Sequence, residues 1–570
     1  MIQAQSGPSP PSDSTTNTSQ HESSAKATDF DNQIPQIHFA DTDSIPGHHI
    51  CLDRNLSLKG QKALQSALYT ANQVFQELEG ISYLQNSDII DPPSDNLSPE
   101  FITWMLQDIS SDNFGCFVLD YFKHVSKESL KRMALLLLTN DGSSQEARIA
   151  NVCVNGMAYK FLTTKLALKA QDELSIYLRE RSFQYKRAGQ IALSRIRLTS
   201  PPSLPLLQAV LCGIFLHQGS GDTQLCYELV KTACRICADI GLNKQPLNGR
   251  EFSEEEYFCL LWCYMLDRNY AWKSGSSECF LRVANDIIGD YLDGEETSVS
   301  GLLAIYIAMA RVQGETFAFQ NGLSSMQTDT SMFREVLLPN IEKIQRKIFQ
   351  LVPSSPEWTG LDARNEIAAL EFACNSLKTT LFFITEGPRG VVFHYGEIFL
   401  ESARQELSAL LALCSTNDKQ QAVAFLHWTL LYYPLTSYFA LFCNAMTNFH
   451  IGDFNFLKAI ADFLMQMRSL SQPISILQRL FEQFVLLSRK VFEEGDSLTL
   501  SERSTPMQQP PADYFASSHY ETIPFCWSDS MQFLSQEQWE ETDVSLSGEN
   551  IFYPHSLLGD PAGRSPFRSV

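Results

Sequence analysis

From Gln421 to Gly452 the chain carries no Lys, Arg, Asp or Glu. An uncharged run of that length must be shielded from water, either by protein or by lipid. The run holds His427, Thr429, Thr436, Ser437, Asn444, Thr447 and Asn448, and its centre, AFLHWTLLYYPLTSYFALFCNAM, is divided by Pro434. A proline inside a helix removes one hydrogen bond and clashes with the preceding turn. No cluster of Lys or Arg flanks the run to orient it across a bilayer. The pattern therefore predicts two short helices buried in protein, and no membrane span.

The same signature recurs through most of the sequence. FITWMLQDI, KRMALLLLT, VNGMAYKFLTTKLALKAQDELSIYLRERS and SYFALFCNAM all present broad apolar faces at helical spacing. Ser98-Pro99-Glu100 opens the first of them with a capping serine, a proline in the first turn and an acid near the positive end of the helix dipole. Alternating strands with hairpin turns are not found, nor is a repeat of fixed period. The expected fold is all-α: a large multi-helix domain over 95–495 with disordered N-terminal and C-terminal tails. Residues 1–55, rich in Ser, Thr, Pro, Gln and Asp, cannot offset ordering entropy by burial. Residues 56–94 read as a short helix, carried by Leu58, Leu64, Leu68, Val74, Leu78 and Ile81, and a linker. Residues 496–570 form an acidic-aromatic tail.

Charge narrows the function. Lys and Arg number 43 against 65 Asp and Glu, a net of −22 that repels a polyanion unless one patch runs against the average. The stretch with Lys160, Lys165, Lys169, Arg179, Arg181, Lys186, Arg187, Arg195 and Arg197 is such a patch, and it reads as the solvated side of two amphipathic helices. The fourteen cysteines sit mostly inside apolar runs, as reduced thiols in a core do, and no secretory signal opens the chain. Cys234 and Cys237 with Cys259 and Cys263 imitate a four-cysteine zinc site. They fall within long helical patterns, so packing is expected of them and not metal binding. His48-His49 lies at the edge of the N-terminal tail. GSGD at 219–222 lacks the lysine and the helix start of a phosphate loop. Nucleophile elbows, His-Glu-x-x-His and dinucleotide fingerprints are absent as well. No catalytic, cofactor-binding, metal or DNA-binding residue is therefore assigned, no cofactor is expected, and the chain is read as not an enzyme.

The region Tyr185 to Ile287 carries a more specific signal. Leu229, Ala233, Ile236, Cys237 and Ile240 make one apolar helix face, Gly241 ends it, and Ser253 with Glu256 has capping-box spacing for the next helix. The order and spacing resemble the fungal-specific transcription factor domain, the middle homology region of fungal zinc-cluster regulators, with the best match over 185–287. The family's helix ending Ala-x-Arg-x-Ala-x-x-Leu-Gly-Leu-His corresponds to Ala233, Arg235, Cys237, Ile240, Gly241, Leu242 and Asn243. Its acidic-start helix corresponds to Glu254 to Glu256, Leu261-Trp262, Tyr264 and Leu266-Asp267-Arg268, and its corner glycine to Gly275. Tyr257 and Phe258 stand near the family's Arg-Arg pair, Asn243 replaces its His, and Ser276 replaces the corner Arg. The family's six-cysteine binuclear zinc cluster has no counterpart before residue 100, where only Cys51 lies.

The resemblance implies a nuclear transcription regulator of a biosynthetic, secondary-metabolite gene set. It would act through a DNA-binding partner, as a homodimer, or through a zinc cluster encoded upstream of Met1. Without such a cluster, direct nucleic-acid binding by the chain is not expected. In the tail from 512 to 570, Trp527, Phe533 and Trp539 stand among Asp529, Glu537, Glu540, Glu541 and Asp543. Acids hold such aromatic groups open to a partner groove, which fits coactivator recruitment. A helical scaffold or adaptor without a role in transcription is the competing reading; it accounts for the charge but not for the ordered motif at 227–275.

Overall fold

In the computed structural model, the described residues run from 98 to 502, apart from breaks at 110–112, 140–143, 168–171, 245–251, 275–298 (except 288), 321–329, 387–395 and 415–418. Positions 66–67, 69–70 and 73 are also described, and side chains are not described beyond 492. Contacts divide the chain after Ile50, and every described residue lies in the second unit. The expected N-terminal tail at 1–55, His48-His49, Gly275 and Ser276 fall outside the described residues, as does the expected tail 496–570 beyond Glu502, while 496–502 continue the last helix.

Among the described residues there are sixteen α-helices, one short 3-10 helix and no strand. The first five are α1 (Pro99–Ile109), α2 (Cys116–Leu119), α3 (Lys127–Thr139), α4 (Gln145–Leu166) and α5 (Glu173–Ser194). Next come α6 (Leu204–Gln218), α7 (Thr223–Asp239), α8 (Glu254–Ser274), α9 (Gly301–Gln320) and α10 (Thr330–Phe349). The 3-10 helix Pro356–Trp358 precedes α11 (Ala363–Glu386), α12 (Glu397–Cys414), α13 (Lys419–Trp428), α14 (Thr436–Asn448), α15 (Ile451–Met465) and α16 (Gln472–Glu502). Sequential neighbours pack on one another: α4 on α5, α6 on α7, α7 on α8, α11 on α12, α14 on α15. Packing of α8 on α9, and longer-range packing of α4 on α6 and α12 on α14, joins these pairs.

The helix ends follow local chemistry. Ser98 Oγ accepts from the Phe101 amide at 3.1 Å and opens α1. Asp172 accepts from the Ser175 amide at 2.6 Å, so the long stretch after Val154 divides into α4 and α5. Both halves of the capping box form at α8: the Ser253 amide donates to Glu256 Oε2 at 3.0 Å, and the Glu256 amide to Ser253 Oγ at 3.3 Å. Gly241 follows α7 with φ +81. The Leu242 amide reaches Cys237 O and the Gly241 amide reaches Ala238 O, both at 3.0 Å. These are the paired bonds of a Schellman stop, and buried Leu242 supplies its apolar contact.

The uncharged run forms α13 and α14, with Pro434 in the turn between them. Every residue from Thr436 to Met446 is buried. Tyr438 stacks on Phe481 of α16 with ring centres 3.8 Å apart. Among the described residues two helices are long and apolar enough to cross a membrane by length and composition, Gly301–Gln320 and Ala363–Thr385, with 56% and 72% of their apolar windows buried in protein.

Candidate functional site

Seven elements converge on a buried polar centre. Lys160 comes from α4, Phe215 from α6, Trp262 from α8, Tyr306 from α9, Glu366 from α11 and Trp428 from α13. Tyr121 follows α2. Tyr306 donates its hydroxyl to Glu366 Oε1 at 2.6 Å, and Tyr121 donates to the same oxygen at 3.4 Å. Lys160 Nζ lies 4.2 Å from the centre of the Tyr121 ring. Tyr121 stacks on Trp262 at 5.5 Å, and Phe215 meets that indole edge-on at 5.0 Å. Trp428 lies 5.7 Å from Tyr306.

Burial raises the Glu366 pKa, against the lowering effect of Tyr306 and Lys160. Burial lowers that of Lys160, against the attraction of Glu366. Burial thus opposes the charged form of both groups, while Tyr306, Lys160 and Tyr121 favour it at Glu366 and Glu366 favours it at Lys160. Trp262 Nε1 is buried without a hydrogen-bond partner among the described residues. An ammonium, a carboxyl, two phenols and an indole donor can recognise or transmit, but they contain no activated nucleophile for turnover.

The basic stretch is thus only partly the solvated face expected from sequence. Arg187, Arg195 and Arg197 are exposed. Lys160 is drawn into the polar centre instead, and Lys165 pairs with Asp108 at 2.8 Å while covering the Phe114 ring. Lys186 packs over Tyr159, and burial lowers its pKa to about 8. Long aliphatic stems let lysines contribute packing surface, which a count of charges along the sequence does not reveal.

The loop 219–222 is a corner between two helices. Contrary to the sequence reading, a helix does begin there, at Thr223, but the Asp222 carboxylate occupies its N-terminus and accepts from the Leu225 amide at 3.2 Å. His427 closes over the loop. Its Nδ1 donates to Gly219 O at 3.2 Å, which leaves Nε2 to accept from Ser471 Oγ at 2.6 Å. Burial holds this imidazole neutral and lowers its pKa to about 4.

Cys234 and Cys237 of α7 face Cys259 and Cys263 of α8 in the core, all four buried, with Cys234 Sγ 3.9 Å from Cys263 O. Among the described residues no group of three His, Cys, Asp or Glu is placed to hold a metal ion. Asp267 and Arg268, whose neighbours the sequence left open, lie buried on α8. The Arg268 guanidinium sits 4.9 Å from the centre of the Tyr264 ring, and Gly314 of α9 leaves the room it occupies. Among the residues sequence reasoning missed are Glu366 and Tyr121. Both stand in unremarkable local contexts, and only tertiary contact separates them from surface carboxylates and core aromatics.

A family model described as the fungal specific transcription factor domain matches residues 149–284. That span holds nearly all of α4, then α5 to α8, including the Gly241 stop and the capping box at Ser253. The match supports a regulator of the fungal transcription-factor type, whose domain is regulatory and not enzymatic. No curated protein matches the chain.

Proposed function

We propose that this chain is a nuclear transcription regulator that controls a biosynthetic, secondary-metabolite gene set through a DNA-binding partner, a homodimer or a DNA-binding region outside this sequence. The family match at 149–284 carries the proposal. The polar centre supports it, because Lys160 and Trp262 within the matched span both pack on Tyr121, which with Tyr306 donates to Glu366 outside it, and Trp428 lies beside Tyr306. A shift of α4 or α8 would therefore be felt in α9, α11 and α13, as a regulatory domain requires. The tail 512–570 is proposed to recruit coactivator through Trp527, Phe533 and Trp539. The scaffold reading lacks an account of the family match.

The test is a reporter assay. Residues 512–570 fused to an unrelated DNA-binding domain should activate transcription, and replacing Trp527, Phe533 and Trp539 by Ala should abolish the output at unchanged net charge. Output equal to that of the bare DNA-binding domain removes the activating role. A tagged chain excluded from nuclei, under conditions where neighbouring genes are active, favours the scaffold.

A further inference from the structure

Where α4 crosses α6, the helices approach unusually closely. A Cβ on Gly156 would lie 3.0 Å from Cys212 Cβ. One turn earlier on α4, Cys153 makes a side-chain hydrogen bond with Cys212. On the far side of Cys212, His124 Nε2 lies 3.5 Å from its sulfur. The His124 ring is oriented: Nδ1 donates to Tyr121 O at 3.1 Å, so the lone pair of the neutral ring is on Nε2, facing the thiol. The backbone beneath it is fixed as well, since His124 O accepts from Gln208 Nε2 at 2.9 Å and from Cys259 Sγ at 3.5 Å. A nucleophile, a base, an orienting carbonyl and a second thiol therefore stand in sequence, the arrangement expected of an activated cysteine with a resolving partner.

We propose that Cys212 and Cys153 are a modification site for hydrogen peroxide, in which His124 activates Cys212 and Cys153 resolves the product as a disulfide. The Cys212 proton passes to His124 Nε2, and the thiolate sulfur attacks one peroxide oxygen. The O–O bond breaks, and the departing hydroxide takes the proton back from His124 as water, leaving Cys212 as a sulfenic acid. The Cys153 sulfur then attacks the Cys212 sulfur. The S–S bond forms, the S–O bond breaks, and hydroxide leaves with the Cys153 proton as a second water. Two thiols lose two electrons and one peroxide is reduced to two waters.

The hydrogen bond from Cys153 and the adjacent imidazole both draw the Cys212 thiol below its ordinary pKa, while its partner and burial push Cys153 up. Cys212 is thus the attacking sulfur and Cys153 the proton-bearing one. The exposed Cys116 makes the contrast. Burial of its sulfur and the nearby Glu357 and Asp120 raise its pKa, so it stays a slow-reacting thiol despite its access. Cys153 is fully buried and Cys212 nearly so, and peroxide reaches them through local opening of the α4–α6 contact, which favours a small oxidant over a bulky reagent. The disulfide would fasten α4 to α6 inside the matched span.

The full chain is treated with hydrogen peroxide, unfolded in a thiol-alkylating reagent and mapped by peptide mass spectrometry. A Cys153–Cys212 linked peptide should accumulate before Cys116 is modified, and iodoacetamide added to the folded chain should label Cys116 but not Cys212. In Cys153→Ser the reaction should stop at a Cys212 sulfenic acid, which dimedone captures when the treated chain is unfolded in its presence. Changing His124 to Asn should slow formation of the linked peptide at least about tenfold. Should that variant unfold, the wild-type order of reaction and the dimedone adduct still decide. Oxidation of Cys116 first, with Cys153 and Cys212 both recovered as free thiols, would overturn the proposal, as would a Cys212 disulfide to any other cysteine.

Discussion

Glu406 of α12 is the sharpest handle on this fold. Its side chain lies between α11 and α14, where Ser437, Thr379 and Ser376 hydrogen-bond to it, yet Oε2 is buried without a partner among the described residues. Burial raises its pKa from 4.5 to about 8. At pH 7 the unfolded chain carries this carboxylate ionised and the folded chain carries it protonated, so folding must take up a proton. The deficit at pH 7 is about 3 kcal/mol, from roughly 2.5 pH units at 1.36 kcal/mol each. The sign follows: below pH 4.5 both states are protonated and nothing is lost. Stability then falls as pH rises, until the folded group ionises near 8. Glu406→Gln keeps the shape of the neutral acid and removes the titration. The variant should therefore be more stable at pH 7 by up to about 3 kcal/mol, a rise of about 4 °C in Tm for the roughly 350 described residues. At pH 5 the gain should shrink below about 1 kcal/mol. Urea unfolding of both proteins from pH 5 to 9 measures it. Parallel curves, or an advantage that grows towards acid, would refute the reasoning.

His427 acts in the opposite sense. Its folded pKa is depressed to about 4, so the unfolded chain binds the extra proton below 6.5 and stability is lost as pH falls. Relative to His427→Gln, the wild type should lose about 2 kcal/mol between pH 7 and pH 5 in the same urea titrations. Gly241→Val and Gly241→Ala should each destabilise by about 1–3 kcal/mol, because nothing lies within 4 Å of an added Cβ and the strain is that of φ +81 itself. A large gap between the two in thermal melts would point to a steric clash instead. Glu366→Ala should lose about 2–4 kcal/mol by stranding the Tyr306 and Tyr121 hydroxyls, with Glu366→Gln losing less. Equal urea midpoints for the two variants would deny Glu366 its role as acceptor.

The sequence by itself determined the class of structure and the places where helices begin and end. Ser98, Gly241 and the Ser253–Glu256 pair act on amides three to five residues away, so their chemistry is complete within the local sequence. The uncharged run at 421–452 likewise had to be buried, and Pro434 had to divide it. Tertiary structure decided which charges went inside. Tyr121 and Glu366 are separated by 245 residues, and nothing near either distinguishes it from dozens of similar side chains. Lys160 reads as a surface charge until Tyr121 and Glu366 are placed beside it. Cys153 and Cys212 read as two core thiols among many until Gly156 lets α4 and α6 close together. Helix periodicity fixes which face turns inward, but the partner it meets there is set by packing between segments far apart in the chain. Desolvation and coupling, which govern the chemistry of Glu406, His427 and Cys212, arise only once that packing exists.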